Sequence, residues 1–354
     1  MSGYRVAIDI GGTFTDFVVH DQASGRGLTG KVLSTPTQPA EGVVTGLHTL
    51  IPDPAAIDFI VHGTTVGLNA FLERRGTRVL LITTDGFRDV YAIARGDRKK
   101  LYDLRYRKPE PLVPPHDVHT VRERLRWDGT VQEPLHIEDL APIVAKIRTE
   151  GIDAVAVCFL HATVNPAHEL EVRRLLREQL PDISVSLSHE VSREWREYER
   201  TSTVVLNAYI APVTLGYLQR LEGEIAGLGV SVPLHVMQSN GGVMTSTAAR
   251  NRPIQTLLSG PVGGTIGGAA LSQELDRPNL LCVDMGGTSF DVSLVGGGAL
   301  TVSSETSLEG LPMLMSVVDI HTIGAGGGSI ARVNSAGILQ VAPESAGADP
   351  GSIC

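Results

Sequence analysis

Two short segments of the chain carry residue types that together could grip a polyphosphate. The first runs from Asp9 through Gly11, Gly12 and Thr13 to Asp16, and the second from Asp284 through Gly286, Gly287 and Thr288 to Asp291; both read D-x-G-G-T-x-x-D. Glycines in such a turn let the backbone approach a phosphate closely and adopt positive φ. Successive N–H groups then form an anion-binding nest, to which the threonine hydroxyl adds a donor. An aspartate at the strand end can hold Mg²⁺ through its water shell, because that ion gives up water reluctantly. A single copy would read as an ordinary glycine hairpin with surface aspartates. Two copies in matched contexts form an internal repeat, and two hairpins facing each other would hold a polyphosphate from both sides.

The elements around these turns must position them. Residues 4–10 and 14–20 flank the first turn as apolar, strand-like runs, and 279–285 and 290–295 flank the second. A polar Gly/Ser loop is expected over 21–30. Strands then alternate with helical stretches: strands at 57–61 and 78–83, helices at 66–75 and 86–93, which argues for an α/β fold. A basic, Pro-rich loop interrupts the pattern from Arg95 to Pro115. Beyond it the spacing predicts a strand over 118–127, a helix over 136–150, a strand over 153–160, a helix over 166–179 and a strand over 183–187. A mostly helical stretch over 195–226 is expected to break near Pro212. With 354 residues and about 150 per domain, two domains are expected, 1–190 and 191–354.

Composition narrows the chemistry further. Thirty Lys and Arg against 39 Asp and Glu leave a net charge of −9, unsuited to holding nucleic acid or an anionic membrane by the overall field. Apolar residues at 42% exclude global disorder, and no run is long enough to span a bilayer. Cys158, Cys282 and Cys354 are scattered, and no signal peptide is visible, so reduced thiols in a cytoplasmic protein are expected. Gly25 to Lys31 nearly spells a Walker A loop, but Val32 stands where a metal-binding hydroxyl is required. The Gly324 to Ser329 run lacks the long preceding strand and the following acid of a dinucleotide site, and no G-x-S-x-G elbow is present. His116 and His119 have no acid or thiol at ligand spacing and read as loop histidines. The loop from Arg95 to Lys108 holds seven basic residues, with Tyr102 and Tyr106 among them, and reads as a solvated loop or a contact to a partner subunit.

The paired turns resemble the two phosphate loops of the actin, sugar-kinase and heat-shock-ATPase superfamily. Within it the chain resembles the hydantoinase A and 5-oxoprolinase family. The stretches that carry the resemblance are RVAIDIGGTFTDFVV from Arg5, VHGTTVGLNAFLERRG from Val61, LITTDGFRDVYAIARGDR from Leu81 and EYERTSTVVLNAYI from Glu197. They continue with MQSNGGVM from Met237, LLSGPVGG from Leu257, VDMGGTSFDVSLV from Val283, IHTIGAGGGSIA from Ile320 and PESAGADPG from Pro343.

The resemblance implies an actin-like (ribonuclease H-like) α/β ATPase fold with duplicated β-hairpin phosphate loops. It implies ATP and Mg²⁺ as cofactors and ATP-dependent hydrolysis of a cyclic amide or imide such as 5-oxoproline, a hydantoin or a lactam. Asp9 and Asp284 would be catalytic and, with Asp291, would hold Mg²⁺ through water, with Asp16 close by. Gly11, Gly12, Thr13, Phe14, Thr15, Gly286, Gly287, Thr288 and Ser289 would bind the nucleotide, bordered by Gly326, Gly327 and Gly328. His62, Thr64 and Thr65 would face substrate. A B-type hydantoinase subunit or domain is the implied partner within an oligomer. Only residues 330–354 follow the late glycine loop, so the adenosine-binding element is not in the chain, the second half is expected to be incomplete, and the chain reads as part of a longer subunit. Two other functions fit the same turns: the ATP-using subunit of an acetone- or acetophenone-type carboxylase, and a non-catalytic nucleotide-binding scaffold.

Overall fold

The computed structural model describes residues 3–10, 14–34, 39–96, 102–286, 290–323, 325–335 and 337–346. Strand β1 (Tyr4–Ile10) and strand β2 (Phe14–Asp21) pair antiparallel around the first turn, and β3 (Arg26–Leu33) adds antiparallel to β2. Strand β4 (Ile57–Thr64) lies parallel on the other side of β1, followed by Leu234–Met237 in parallel and Val243–Thr245 in antiparallel pairing. An antiparallel meander is thus extended by two parallel strands and an antiparallel edge strand beside its first member. The last two strands come from beyond residue 190.

A second sheet is wholly parallel, in the order Ser184–Leu187, Ala154–Cys158, Val79–Thr84, Val118–Val121. Its two central strands are continuous apolar runs buried on both faces, as helix-covered parallel strands must be. Leu80, Ile82, Val155 and Val157 pack against the helices Leu140–Glu150 and Ala167–Gln179. Val79, Leu81, Ala154 and Ala156 pack against the first half of one long helix, Glu197–Gly227. The second half of that helix, through Tyr217, Leu218, Leu221 and Ile225, packs under β1 and β2 together with the helix Pro39–Leu50. One helix therefore serves as a common spine for both sheets.

Three local expectations change. The 21–30 stretch is largely strand, because β3 is an edge strand with a mostly exposed, polar, glycine-containing sequence that carries no apolar alternation. Pro212 does not end its helix, whose buried flanks on both sheets hold it together across the lost hydrogen bond. The helix expected over 86–93 is reduced to Val90–Ile93. Cys158 and Cys282 are free thiols, Cys354 lies outside the described residues, and no described helix is long and apolar enough to cross a membrane.

The internal repeat survives in three dimensions, with one difference. Leu280–Met285 and Phe290–Gly296 pair as β1 and β2 do, with Asp284 opposite Asp291 as Asp9 is opposite Asp16. One face of this second hairpin packs on the helix Ser259–Glu274, so closely that a Cβ on Gly268 would meet Cys282 Sγ at 2.2 Å. The opposite face is bare. Val6, Ile8, Ile10 and Val19 are buried in the first copy, whereas their counterparts Leu281, Val283, Met285 and Leu294 are 63%, 58%, 64% and 58% exposed. Among the described residues the second hairpin has no equivalent of the two helices that cover the first. Substituting equivalent residues should therefore give unequal costs. Ile8→Ala should lower the chain's unfolding free energy by about 2–4 kcal/mol, and Val283→Ala by no more than about 0.5 kcal/mol, read from urea denaturation of each variant.

Candidate functional site

The two hairpins bring their carboxylates within electrostatic reach of one another at Asp9. Asp9 is the penultimate residue of β1, opposite Asp16 on one side and Gly63 of β4 on the other. Its carboxylate still meets solvent, but it is walled by protein, and its pKa is pushed up from 3.8 to about 6. Burial is the largest cause, followed by the negative charges of Asp16 and Asp284. Carboxylates from both copies of the repeat therefore act on each other. Gly63 is what lets Asp9 sit where it does, since a Cβ there would stand 2.9 Å from Asp9 Oδ1.

Around Asp9 the structure ties the end of β1 and the start of β2 to their supports. Lys31 on β3 pairs with Asp16 at 3.0 Å and lies over the Phe14 ring, 4.9 Å from its centroid. Thr15 Oγ1 is 3.2 Å from Ser34 Oγ. Thr65 Oγ1 donates to the carbonyl of Ile10 (3.1 Å), pinning the end of β1 to the residue that follows β4. Thr64 is buried, and Ser259, the first residue of its helix, donates from Oγ to the Thr64 carbonyl (3.2 Å) while accepting the Thr64 N–H (3.4 Å). That helix starts at the first hairpin and runs beneath the second, where Thr265 and Ser293 hydroxyls lie 2.7 Å apart. The Ser259–Glu274 helix is the functional element that residue-by-residue reading missed; its only sequence trace is the LLSGPVGG stretch, whose glycines disguise a helix.

His62 is wholly buried, with Nε2 2.7 Å from the Tyr217 hydroxyl, and burial pushes its pKa down to about 4. It lies in the core, where it braces β4 against the long helix as a neutral ring. On the second hairpin, Thr322 Oγ1 donates to Asp291, and the N–H of Gly327 donates to the carbonyl of Gly286 at 2.9 Å. The late glycine loop with Gly326 and Gly328 thus lies against the second turn. Gly11, Gly12, Thr13, Gly287, Thr288 and Ser289 lie outside the described residues. Among the described residues no three acidic, histidine or cysteine side chains converge closely enough to clasp a metal directly. The raised pKa of Asp9 nonetheless marks a place where a cation would relieve repulsion, which suits an ion held through water.

Family models match nearly the whole chain: a hydantoinase/oxoprolinase N-terminal region over residues 5–180 and a hydantoinase/oxoprolinase region over 200–354. The chain belongs to the hydantoinase/oxoprolinase family. Caprolactamase subunit alpha of Pseudomonas jessenii is 37% identical over 361 residues, covering 99% of this chain and 52% of that protein. The crystal structure of that organism's ATP-dependent caprolactamase superposes with a TM-score of 0.85 at 36% identity, over 99% of this chain and 52% of its own. The nucleotide-free structure of acetone carboxylase, from work on ATP-dependent acetone carboxylation, superposes with a TM-score of 0.86 at 29% identity, over 98% of this chain and 52% of its own. The chain thus spans about half the length of these relatives, and the fold is theirs.

Asp9 also makes stability depend on pH in a defined direction. Its native carboxyl keeps a proton up to about pH 6, whereas the unfolded chain releases it near 3.8, so the native state binds more protons between those values. Ionising Asp9 therefore costs stability as pH rises through that window. Asp9→Asn removes that cost. Without nucleotide or divalent cation, its melting temperature should match the parent's below about pH 4, rise above it between pH 4 and 6, and stay above it by a constant margin at higher pH.

Proposed function

We propose that the chain is the ATP-using part of a cyclic amidohydrolase, acting on a lactam, hydantoin or 5-oxoproline together with a B-type subunit or domain. The observation that carries this reading is the approach of Asp284 of the second repeat to Asp9 and Asp16 of the first, where burial and then these neighbouring charges raise the Asp9 pKa to about 6. A polyphosphate bridged by a divalent cation is the ligand that answers such a site. The turn amides would bind phosphate while the carboxylates hold the cation. Similarity to an ATP-dependent caprolactamase supports the same conclusion.

The chemistry follows from what an unstrained ring amide lacks. Its carbonyl carbon is a poor electrophile. In the proposed reaction the amide oxygen attacks the γ-phosphorus of ATP, the bond to the bridging oxygen breaks, and ADP departs. Water then adds to the activated carbon, the ring C–N bond breaks with the amine taking a proton, and the acyl phosphate so formed is hydrolysed by a second water to inorganic phosphate and the carboxylate of an amino acid. Such phosphoryl transfer rests on positioning and charge neutralisation. Asp9 and Asp284, with Asp291 alongside, would orient the water shell of Mg²⁺, and bound Mg²⁺ would neutralise the phosphates. Gly63 and Thr65 fix where Asp9 and the end of β1 stand.

A second reading, phosphorylation of a ketone's enol before carboxylation, is favoured by the similarity to acetone carboxylase. Phosphate release from ATP with caprolactam, 5-oxoproline, hydantoin or acetophenone, with and without bicarbonate, separates the two. Dependence on bicarbonate identifies the carboxylase, and no turnover with any of them in the assembled enzyme identifies a nucleotide-binding scaffold. In the complete enzyme Asp9→Ala and Asp284→Ala should abolish ATP turnover with native circular dichroism, and unchanged phosphate release would remove their assigned roles. Gly63→Ala should displace the Asp9 carboxylate and lower kcat by about 10- to 100-fold, with a smaller change in melting temperature.

A further inference from the structure

The repeat breaks its symmetry at one charge. On the first hairpin the register sets Gly63, Asp9, Asp16 and Lys31 in one row across β4, β1, β2 and β3. Residues directly opposite one another share a face of a sheet, so this row presents two carboxylates and an ammonium together. On the second hairpin the strand Ile320–Ile323 takes the place of β3. There the residue opposite Asp291 is Thr322, whose hydroxyl donates to that carboxylate. A neutral donor thus meets the acid in one copy where a full positive charge meets it in the other. Orienting such an aspartate does not require a cation, which leaves the charge of Lys31 available for a further task.

The place and exposure of Lys31 suit an anion. Its Nζ lies 3.0 Å from Asp16 Oδ1 and 4.9 Å from the centroid of the Phe14 ring. Phe14 is the first described residue after the Gly-Gly-Thr turn, so the ammonium stands between the exit of the turn and the row of carboxylates. An ammonium carries three donors, and the Asp16 oxygen takes one of them. The side chains of Lys31 and Asp16 are 56% and 49% exposed. A pair this wet adds little to stability and is shared or opened at little cost. A divalent cation would balance Asp9 and Asp284, and Lys31 balances Asp16. Without Lys31 a phosphate arriving here would meet an unmatched charge of its own sign.

We propose, building on the nucleotide reading above, that Lys31 is a phosphate-binding residue. Its ammonium is shared between Asp16 and a non-bridging phosphate oxygen of the nucleotide held on the first turn. Lysine serves phosphate as a point charge, which suits a long side chain reaching in from an edge strand.

In the complete enzyme, calorimetric titration with Mg²⁺ and the non-hydrolysable β,γ-imido analogue of ATP reads this contact without turnover. Lys31→Met should raise the Kd about tenfold or more with the melting temperature almost unchanged, and Lys31→Arg should recover most of the affinity. Asp16→Asn alone should tighten binding, since it releases the ammonium to the phosphate and removes a repelling charge. The double variant Lys31→Met/Asp16→Asn separates direct contact from neutralisation of Asp16, because the pair's summed charge is the same as in the parent. Affinity as weak as that of Lys31→Met supports the direct contact, and parent-like affinity overturns it. Parent-like affinity of Lys31→Met alone also overturns it, as does Asp16→Asn binding as weakly as Lys31→Met. A parent enzyme that binds no analogue overturns the ATP reading and this inference with it, whereas every other adverse result leaves the ATP reading standing.

Discussion

Like charges held close together are the constraint on which this structure turns. Asp9 and Asp16 lie opposite each other on one face of β1 and β2, and Asp284 approaches from the other copy of the repeat. Carboxylates held this close repel one another, and the partial burial of Asp9 adds to the cost of its charge. Lys31 compensates part of the charge through Asp16. Burial, together with the charge that remains, raises the proton affinity of Asp9.

Holding those charges in place is the task of the surrounding elements. Gly63 leaves room for the Asp9 carboxylate, Thr65 ties down the end of β1, and Ser259 ties the end of β4 to the helix that underlies the second hairpin. His62 and Tyr217 brace β4 against the long helix from inside the core. A single continuous path of strand, hydrogen bond and helix thus joins one hairpin to the other. The two copies differ in what covers their outer faces. In the first copy apolar side chains are sealed by two helices, and in the second no described residue of this chain covers the corresponding side chains. The carboxylates of the second hairpin are therefore held by one packed face and the glycine loop at Gly327.

Much of this was legible in the residues. The duplicated D-x-G-G-T-x-x-D pattern located both hairpins, and the alternation of apolar strands with helical stretches located the parallel sheet, because strong periodicity overrides weaker signals. Edge strand β3 escaped detection because exposure on both sides removes the apolar alternation that marks a strand. The break expected at Pro212 did not occur because burial against both sheets outweighs one lost hydrogen bond. The Ser259–Glu274 helix was hidden by its glycines, which are poor helix formers when considered alone but allow the close contact with Cys282.

The amino-acid sequence by itself determined the repeat, the family resemblance and the acidic balance of the chain, since these depend only on residue type and spacing. Tertiary structure alone decided that Asp9 senses Asp284, that His62 points into the core, that Ser259 joins the two halves, and that one copy of the repeat is covered while the other is bare. Proximity across hundreds of residues, and the burial that changes a carboxylate's proton affinity, are properties of packing; no local pattern of side chains encodes them.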